Sequence, residues 1–180
     1  MTKFALIVHK SEYLNRLINF LNGLGVDYKA LEPCSDISKY DAVIASGGKI
    51  PLSRKEEIIE WYRDEVFSES MPFLGICLGF RILGYYYGAK FALLKEKGIK
   101  EIEFFREYPL APNVKRLTVY QDHDFSLIKL GSSIVNYARS DKCDVQAIKI
   151  KGKEQYGVQF HPEVEGGIVL ENFVKLCDVV

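Results

Sequence analysis

The sequence predicts an α/β fold: an open, mostly parallel sheet flanked by helices, with an antiparallel extension in the second half. Three observations carry this. Up to about residue 88, short β-rich runs alternate with segments of helical periodicity, the pattern of right-handed βαβ crossovers. From about residue 90, β-rich runs follow one another with little helix between them. At 180 residues and 48% hydrophobic, the chain can bury one substantial core, so residues 1–180 are expected to form a single domain.

Each element follows from its residues. KFALIVH (3–9) is a short β-rich run ending at His9. SEYLNRLINFLNGLG (11–25) places Leu14, Leu17, Ile18 and Leu21 at helical spacing, with Ser11 as the expected cap and Gly23 and Gly25 as stops. VDYKAL (26–31) is the second strand, and YDAVIASGG (40–48) a third that runs into a glycine pair. SRKEEIIEWYRDEVF (53–67) opens with Ser53 and Glu56 at capping-box spacing and sets Ile58, Ile59, Tyr62 and Val66 on one face. MPFLGI (71–76) is a fourth strand and LGFRILGYYYG (78–88) the helix after it. The strands IKEIEFF (99–105), VKRLTVYQ (114–121), SIVNYARS (133–140), VQAIKIK (145–151) and YGVQFHP (156–162) then form an antiparallel extension or a second small sheet. GGIVLENFVKLC (166–177) closes the chain as a helix with Leu170, Phe173, Val174 and Cys177 on one side. Tyr85, Tyr86 and Tyr87 cannot share one helical face, so at least one is expected at the surface or an interface.

Composition narrows the function. Lys plus Arg and Asp plus Glu balance at 24 each, and the basic residues are scattered, which argues against nucleic acid or an anionic membrane as partner. No apolar run is long enough to span a bilayer, and the N-terminus lacks a signal peptide's flanks, so a soluble, cytoplasmic protein is expected. The four cysteines, Cys34, Cys77, Cys143 and Cys177, make no CxxC pair and no zinc pattern, so no metal site is expected. In a reducing compartment they stay thiols, and burial as small hydrophobes accounts for Cys34, Cys143 and Cys177.

Cys77 differs. In Gly75-Ile76-Cys77-Leu78-Gly79 the glycines stand two before and two after it, where a strand pattern gives way to a helical one. This is the spacing of a nucleophile elbow. The turn strains the nucleophile, and side chains at the flanking positions would strike the neighbouring backbone. A helix N-terminus favours thiolate over thiol, and the Leu78 N–H faces where an oxyanion forms. A thiolate needs a base, and the chain has three histidines. His9 reads as a buried polar residue ending strand one, and His123, in QDHDF, is open. His161 precedes Pro162 and stands two residues before Glu163; alternation along a strand-like segment puts both on one side, so the carboxylate can orient the imidazole.

With these residues in place, FLGICLGFRILGYYYGAK (73–90) and YGVQFHPEVEGG (156–167) resemble the two signature segments of the class I, triad-type glutamine amidotransferases. VIASGGKIP (43–51) resembles the family's oxyanion segment, SGGP. ARSDKCDVQAIKIKGKEQYGVQFHPEV (138–164) and the helix ending NFVKLC are similar to the C-terminal third of a subgroup, the stand-alone glutaminase subunits of archaeal-type GMP synthases. The resemblance spans nearly the whole chain in order and spacing. It implies a flavodoxin-like open sheet, with Cys77 attacking the side-chain amide of L-glutamine, His161 moving the proton and Glu163 orienting His161. The backbone N–H groups of Gly48 and Leu78 would form the oxyanion hole, and Gly47, Arg81 and His123 would bind substrate. No cofactor is implied. The ammonia would pass to a separate ATP-dependent synthetase subunit.

The chain departs from the family at three places. Arg81 stands where a glutamine is usual, four residues past the nucleophile. A guanidinium donates but cannot accept; it can grip a substrate carboxylate, or pair with an acid such as Asp122 or Asp124. Lys49 replaces the proline after the glycine pair, and Gln121-Asp122-His123-Asp124-Phe125 replaces Glu-Ser-His-x-Asp. Two other readings keep the same residues: a γ-glutamyl hydrolase or peptidase, and a non-catalytic subunit that binds glutamine as a signal.

Overall fold

The computed structural model describes residues 2–68 and 70–179. Among these residues one nine-stranded sheet runs in the order β2-β1-β3-β4-β9-β8-β7-β5-β6. The strands are β1 (Lys3–His9), β2 (Asp27–Leu31), β3 (Ala42–Gly48), β4 (Phe73–Ile76), β5 (Lys90–Phe104), β6 (Arg116–Lys129), β7 (Ile134–Arg139), β8 (Ala147–Ile150) and β9 (Gln155–Val158). The helices are α1 (Leu14–Gly23), α2 (Lys55–Trp61), α3 (Leu78–Tyr86) and α4 (Ile168–Val179). The pairings β2–β1, β1–β3, β3–β4 and β4–β9 are parallel; β9–β8, β8–β7, β7–β5 and β5–β6 are antiparallel. The expected extension therefore continues the same sheet rather than forming a second one.

The parallel half is buried on both faces, as crossover helices require. Along β1, Phe4 and Leu6 join the layer under α1 and α4, with Leu17, Leu21, Leu170 and Phe173. Ala5 and Ile7 join the opposite layer with Ile58, Tyr62, Phe80 and Leu83. The face expected for the last helix is the buried one, Leu170, Phe173, Val174 and Cys177 together. Tyr85 and Tyr86 are exposed, as the crowding of three consecutive tyrosines demands.

Local signals are overridden at three places. Ser11 does not cap α1; Tyr13 occupies that position, and Ser11 Oγ accepts the Tyr13 N–H at 3.1 Å. The chain leaves β1 through Lys10 at φ +56°, so Ser11 is used up in the turn. Ser53 and Glu56 form no capping box. A 3-10 turn over Leu52–Arg54 precedes α2, whose cap is Arg54. The Arg54 guanidinium bonds the Glu57 carboxylate instead. A π-turn over Tyr62–Val66 then lets both of those side chains reach the core. Finally, β5 and β6 are 15 and 14 residues long and begin or end well beyond the runs expected, because each supplies the other's backbone partners from Lys90↔Lys129 to Glu103↔Arg116.

The strand order reverses between β1 and β3, one going to β2 and the other toward β4. Open α/β sheets place ligands at such a point, outside the carboxyl ends of the strands. The segments that follow β1, β3, β4 and β9 all emerge there.

Candidate active site

Cys77 sits at the elbow between β4 and α3 with φ +49° and ψ −90°, a conformation that costs an L-residue energy. The flanking glycines make it possible. A Cβ on Gly75 would lie 2.4 Å from the Gly79 carbonyl carbon, and one on Gly79 would lie 2.6 Å from the Ala45 carbonyl oxygen. Leu78 is the first residue of α3, so its N–H has no acceptor one turn back.

His161 reaches Cys77 through strand pairing. β4 and β9 run parallel to the register Ile76↔Val158, and the Cys77 N–H donates to the Val158 carbonyl at 2.9 Å. The two strands end together, so the residues that follow are neighbours. The His161 ring hydrogen bonds to Glu163 and lies close enough to Cys77 for the two to influence each other's charge. Its Nδ1–H donates to Glu163 Oε1 at 2.8 Å, which leaves Nε2 for the sulfur side. Burial disfavours a charge on this ring, but the bonds and negative charge of Cys77 and Glu163 outweigh it and lift His161 to about 10. The route to this pair differs from the strand alternation expected: β9 stops at Val158, and His161 and Glu163 meet in a turn closed by the Val164 and Glu165 N–H groups on the His161 carbonyl.

The glycine pair lies against the same ring. A Cβ on Gly47 would stand 2.7 Å from His161 Cε1 and 3.4 Å from Cys77 Cβ. Gly48 holds φ +124° and packs on β1, where a Cβ would be 1.9 Å from the His9 carbonyl oxygen. The structure thus gathers Cys77, His161, Glu163, Gly47, Gly48 and Leu78 at the carboxyl ends of β3, β4 and β9. Arg81 is half-buried one turn along α3; its guanidinium lies over the Phe125 ring at 5.9 Å, and its Nε is enclosed without a partner. Asp122 and Asp124 pair with Lys97 and Lys95, not with Arg81. The structure does not bring His123 to Cys77. Its fully enclosed side chain meets Glu96 Oε2 at 3.3 Å and the Leu94 carbonyl at 3.1 Å. His9 is buried against the Tyr62 hydroxyl at 2.7 Å and pushed down to about 4 by burial.

Other residues around the sulfur carry little sequence signal. The Asp122 carbonyl and Gln159 Nε2 lie 3.7 and 3.8 Å from Sγ. Tyr13 covers the His161 ring at 4.6 Å between centroids and donates its hydroxyl to Asp122 Oδ2 at 2.6 Å. Gln159 lies two residues before His161, inside the family's signature segment, which is the signal that could have found it. Tyr13 and Asp122 come together only through the sheet, and nothing in their local sequence marks the contact. Among the described residues no cluster of three His, Cys, Asp or Glu side chains is set to hold a metal ion, and no helix is long and apolar enough to cross a membrane.

An elbow cysteine, a His–Glu pair and a glycine turn thus meet at one edge of an open α/β sheet. The chain matches the family profile for class-I glutamine amidotransferases over residues 7–175 and belongs to that family. Within it, the chain is similar to a glutamine-hydrolyzing GMP synthase subunit of Saccharolobus solfataricus, at 31% identity over 97% of this chain and 98% of the relative. The same-named subunit of Pyrococcus abyssi is 32% identical over 92% and 94% of the two chains. The fold matches the crystal structure of a candidate GMP synthase subunit from Thermoplasma acidophilum with a TM-score of 0.91, at 24% identity over 99% and 95%. A glutamine amidotransferase from Thermotoga maritima matches at 0.77, with 22% identity over 97% and 81%.

Proposed function

We propose that this chain is one glutaminase domain that hydrolyses L-glutamine through a thioester on Cys77 and hands the ammonia to a separate synthetase subunit, that of a GMP synthase. The observation that carries this reading is the His161–Glu163 pair set against a cysteine on a strained, glycine-flanked elbow.

The chemistry follows from the positions. With the proton already on His161, the sulfur of Cys77 attacks the side-chain amide carbon of glutamine. Glu163 stabilises that imidazolium. The N–H groups of Gly48 and Leu78 receive the negative charge on the tetrahedral oxygen. Collapse of that intermediate breaks the C–N bond, and His161 returns the proton to the leaving nitrogen as ammonia. Water, deprotonated by His161, then attacks the γ-glutamyl thioester, and glutamate and the thiol are released. No metal or organic cofactor enters these steps. Gly47 allows close approach of substrate beside His161, and Arg81 meets a substrate carboxylate. His123 acts through Glu96 by holding β6, which presents the Asp122 carbonyl to the sulfur.

The similarity to the glutamine-hydrolyzing subunits of GMP synthases supports the choice of acceptor enzyme. The test is ammonia release from glutamine by the purified protein, alone and with the synthetase subunit of the same source loaded with ATP and its acceptor. Release that rises on addition of the loaded synthetase, and vanishes in Cys77→Ala, is expected. Faster cleavage of γ-glutamyl peptides than of glutamine, with no response to the synthetase, would refute the assignment.

A further inference from the structure

Between β1 and β3 the parallel register breaks. Ile7 pairs with Ala45, but His9 pairs with Gly48, so Ser46 and Gly47 stand opposite Val8 alone. This is a β-bulge at the end of the strand that reaches the candidate site, a place where bulges re-aim the chain. Ser46 is fully buried inside it. Its Oγ accepts the His9 N–H at 3.0 Å and donates to the Gly47 carbonyl at 2.8 Å.

We propose that Ser46 is a positioning residue for the oxyanion hole: its hydroxyl locks the Gly47–Gly48 peptide in the orientation that aims the Gly48 N–H at Cys77. The proposal rests on the glutaminase reading and deepens it. Ser46 Oγ lies beside the His9 N–H, so the Gly47 carbonyl it holds is turned toward β1. The peptide is trans, so C=O and N–H point in opposite directions. The Gly48 N–H is therefore turned to the other side of β3, that of β4 and the elbow. The backbone conformation this requires is the φ of +124° at Gly48, which only glycine adopts without strain. The contact with β1 is taken up by the next amide instead: the Lys49 N–H donates to the His9 carbonyl at 2.9 Å. Without the Ser46 hydroxyl, only the pairing with β1 holds this peptide, and the flipped alternative, in which the carbonyl oxygen would face the developing oxyanion, is less disfavoured.

The experiment compares wild type, Ser46→Ala and Ser46→Thr in three measurements: steady-state glutamine hydrolysis, the rate of Cys77 alkylation by iodoacetamide read by peptide mass spectrometry, and the crystal structure of Ser46→Ala. In Ser46→Ala, kcat is expected to fall about tenfold or more, the size of a lost oxyanion donor in part of the population, with KM within about twofold. Cys77 should be alkylated at close to the wild-type rate, because the elbow and His161 are untouched. The Gly47–Gly48 peptide should be rotated or split between two orientations, and Ser46→Thr, which keeps the hydroxyl, should retain at least about half of kcat. A kcat within about twofold of wild type, an unmoved peptide in the crystal, or a parallel loss of Cys77 alkylation would each overturn the assignment. Wild-type protein that turns over no glutamine, with the peptide still rotated in Ser46→Ala, would refute the glutaminase reading and leave the role of Ser46 standing.

Discussion

At Cys77 the side chain is replaceable and the backbone is not, which makes Cys77→Ala a clean test. The variant should stay folded and lose glutamine hydrolysis to below about a hundredth of the wild-type rate, since other triads without their nucleophile retain only the catalysis due to binding and the oxyanion hole. Turnover above that level removes Cys77 from the role of nucleophile. His161→Asn should be nearly as damaging, and Glu163→Gln milder, because the carboxylate at 2.8 Å orients and stabilises the ring without exchanging a proton with substrate. The reverse order in kcat would reassign the base. At Arg81 the enclosed Nε has no partner and the neighbouring acids are engaged by lysines, so its charge is free for a substrate carboxylate. Arg81→Gln should raise the Michaelis constant for glutamine at least about threefold, roughly 0.7 kcal/mol, and flatten its salt dependence. Equal constants at every ionic strength would confine Arg81 to packing on Phe125.

At the scale of elements, the elbow depends on how closely β4 and α3 pass one another. Gly75→Ala would set a methyl group 2.4–2.6 Å from three backbone atoms of Gly79 and Phe80. Backbone cannot rotate away as a side chain can, so α3 must shift off β4. The expected cost is about 1–3 kcal/mol in urea unfolding, with hydrolysis lost beyond what stability explains, because α3 carries the Leu78 N–H. A fully active Gly75→Ala would mean that the elbow tolerates a wider separation than its geometry implies. Gly23 is the contrasting case, since nothing lies within 4 Å of a Cβ built there. The failure of the Ser53–Glu56 box belongs to this scale too: a cap gains about 1 kcal/mol, and burying Tyr62 and Val66 together through the π-turn gains more.

Across the whole molecule, two histidines with opposite shifts shape the response to pH. His9 has a folded value of about 4, below its unfolded value near 6.5. Between these the unfolded chain binds the extra proton, so stability falls as pH drops through that window, by roughly 3 kcal/mol at most. His161 has a folded value of about 10, so the folded chain holds the extra proton above 6.5. Its contribution is complete below pH 6.5 and is lost as pH rises toward 10. Together they place the stability maximum near pH 6.5. Melting temperatures measured from about pH 5 to about 8.5, below the range where the buried thiols add their own alkaline loss, should show it. His161→Asn should flatten the alkaline limb and leave the acid limb in place. An alkaline limb unchanged in that variant would show that His161 is not charged in the folded protein.

The alternation of strands and helices, the elbow, and the pairing of His161 with Glu163 are legible in the amino-acid order alone, because each is written in neighbouring residues. Gly75, Cys77 and Gly79 lie within one turn, and the apolar periods of α1 and α4 mark their buried faces without help from the rest of the chain. What distant segments do to one another is settled only in the folded sheet. The 15-residue length of β5 was hidden because Leu93 and Phe91 stay exposed and only pairing with β6 makes that stretch a strand. The engagement of His123 with Glu96, of Tyr13 with His161, and of Ser46 with the His9 N–H of β1 likewise needed the sheet. Local motifs report covalent neighbours and backbone strain, whereas a hydrogen bond across strands depends on register, and register is set by the packing of the whole sheet.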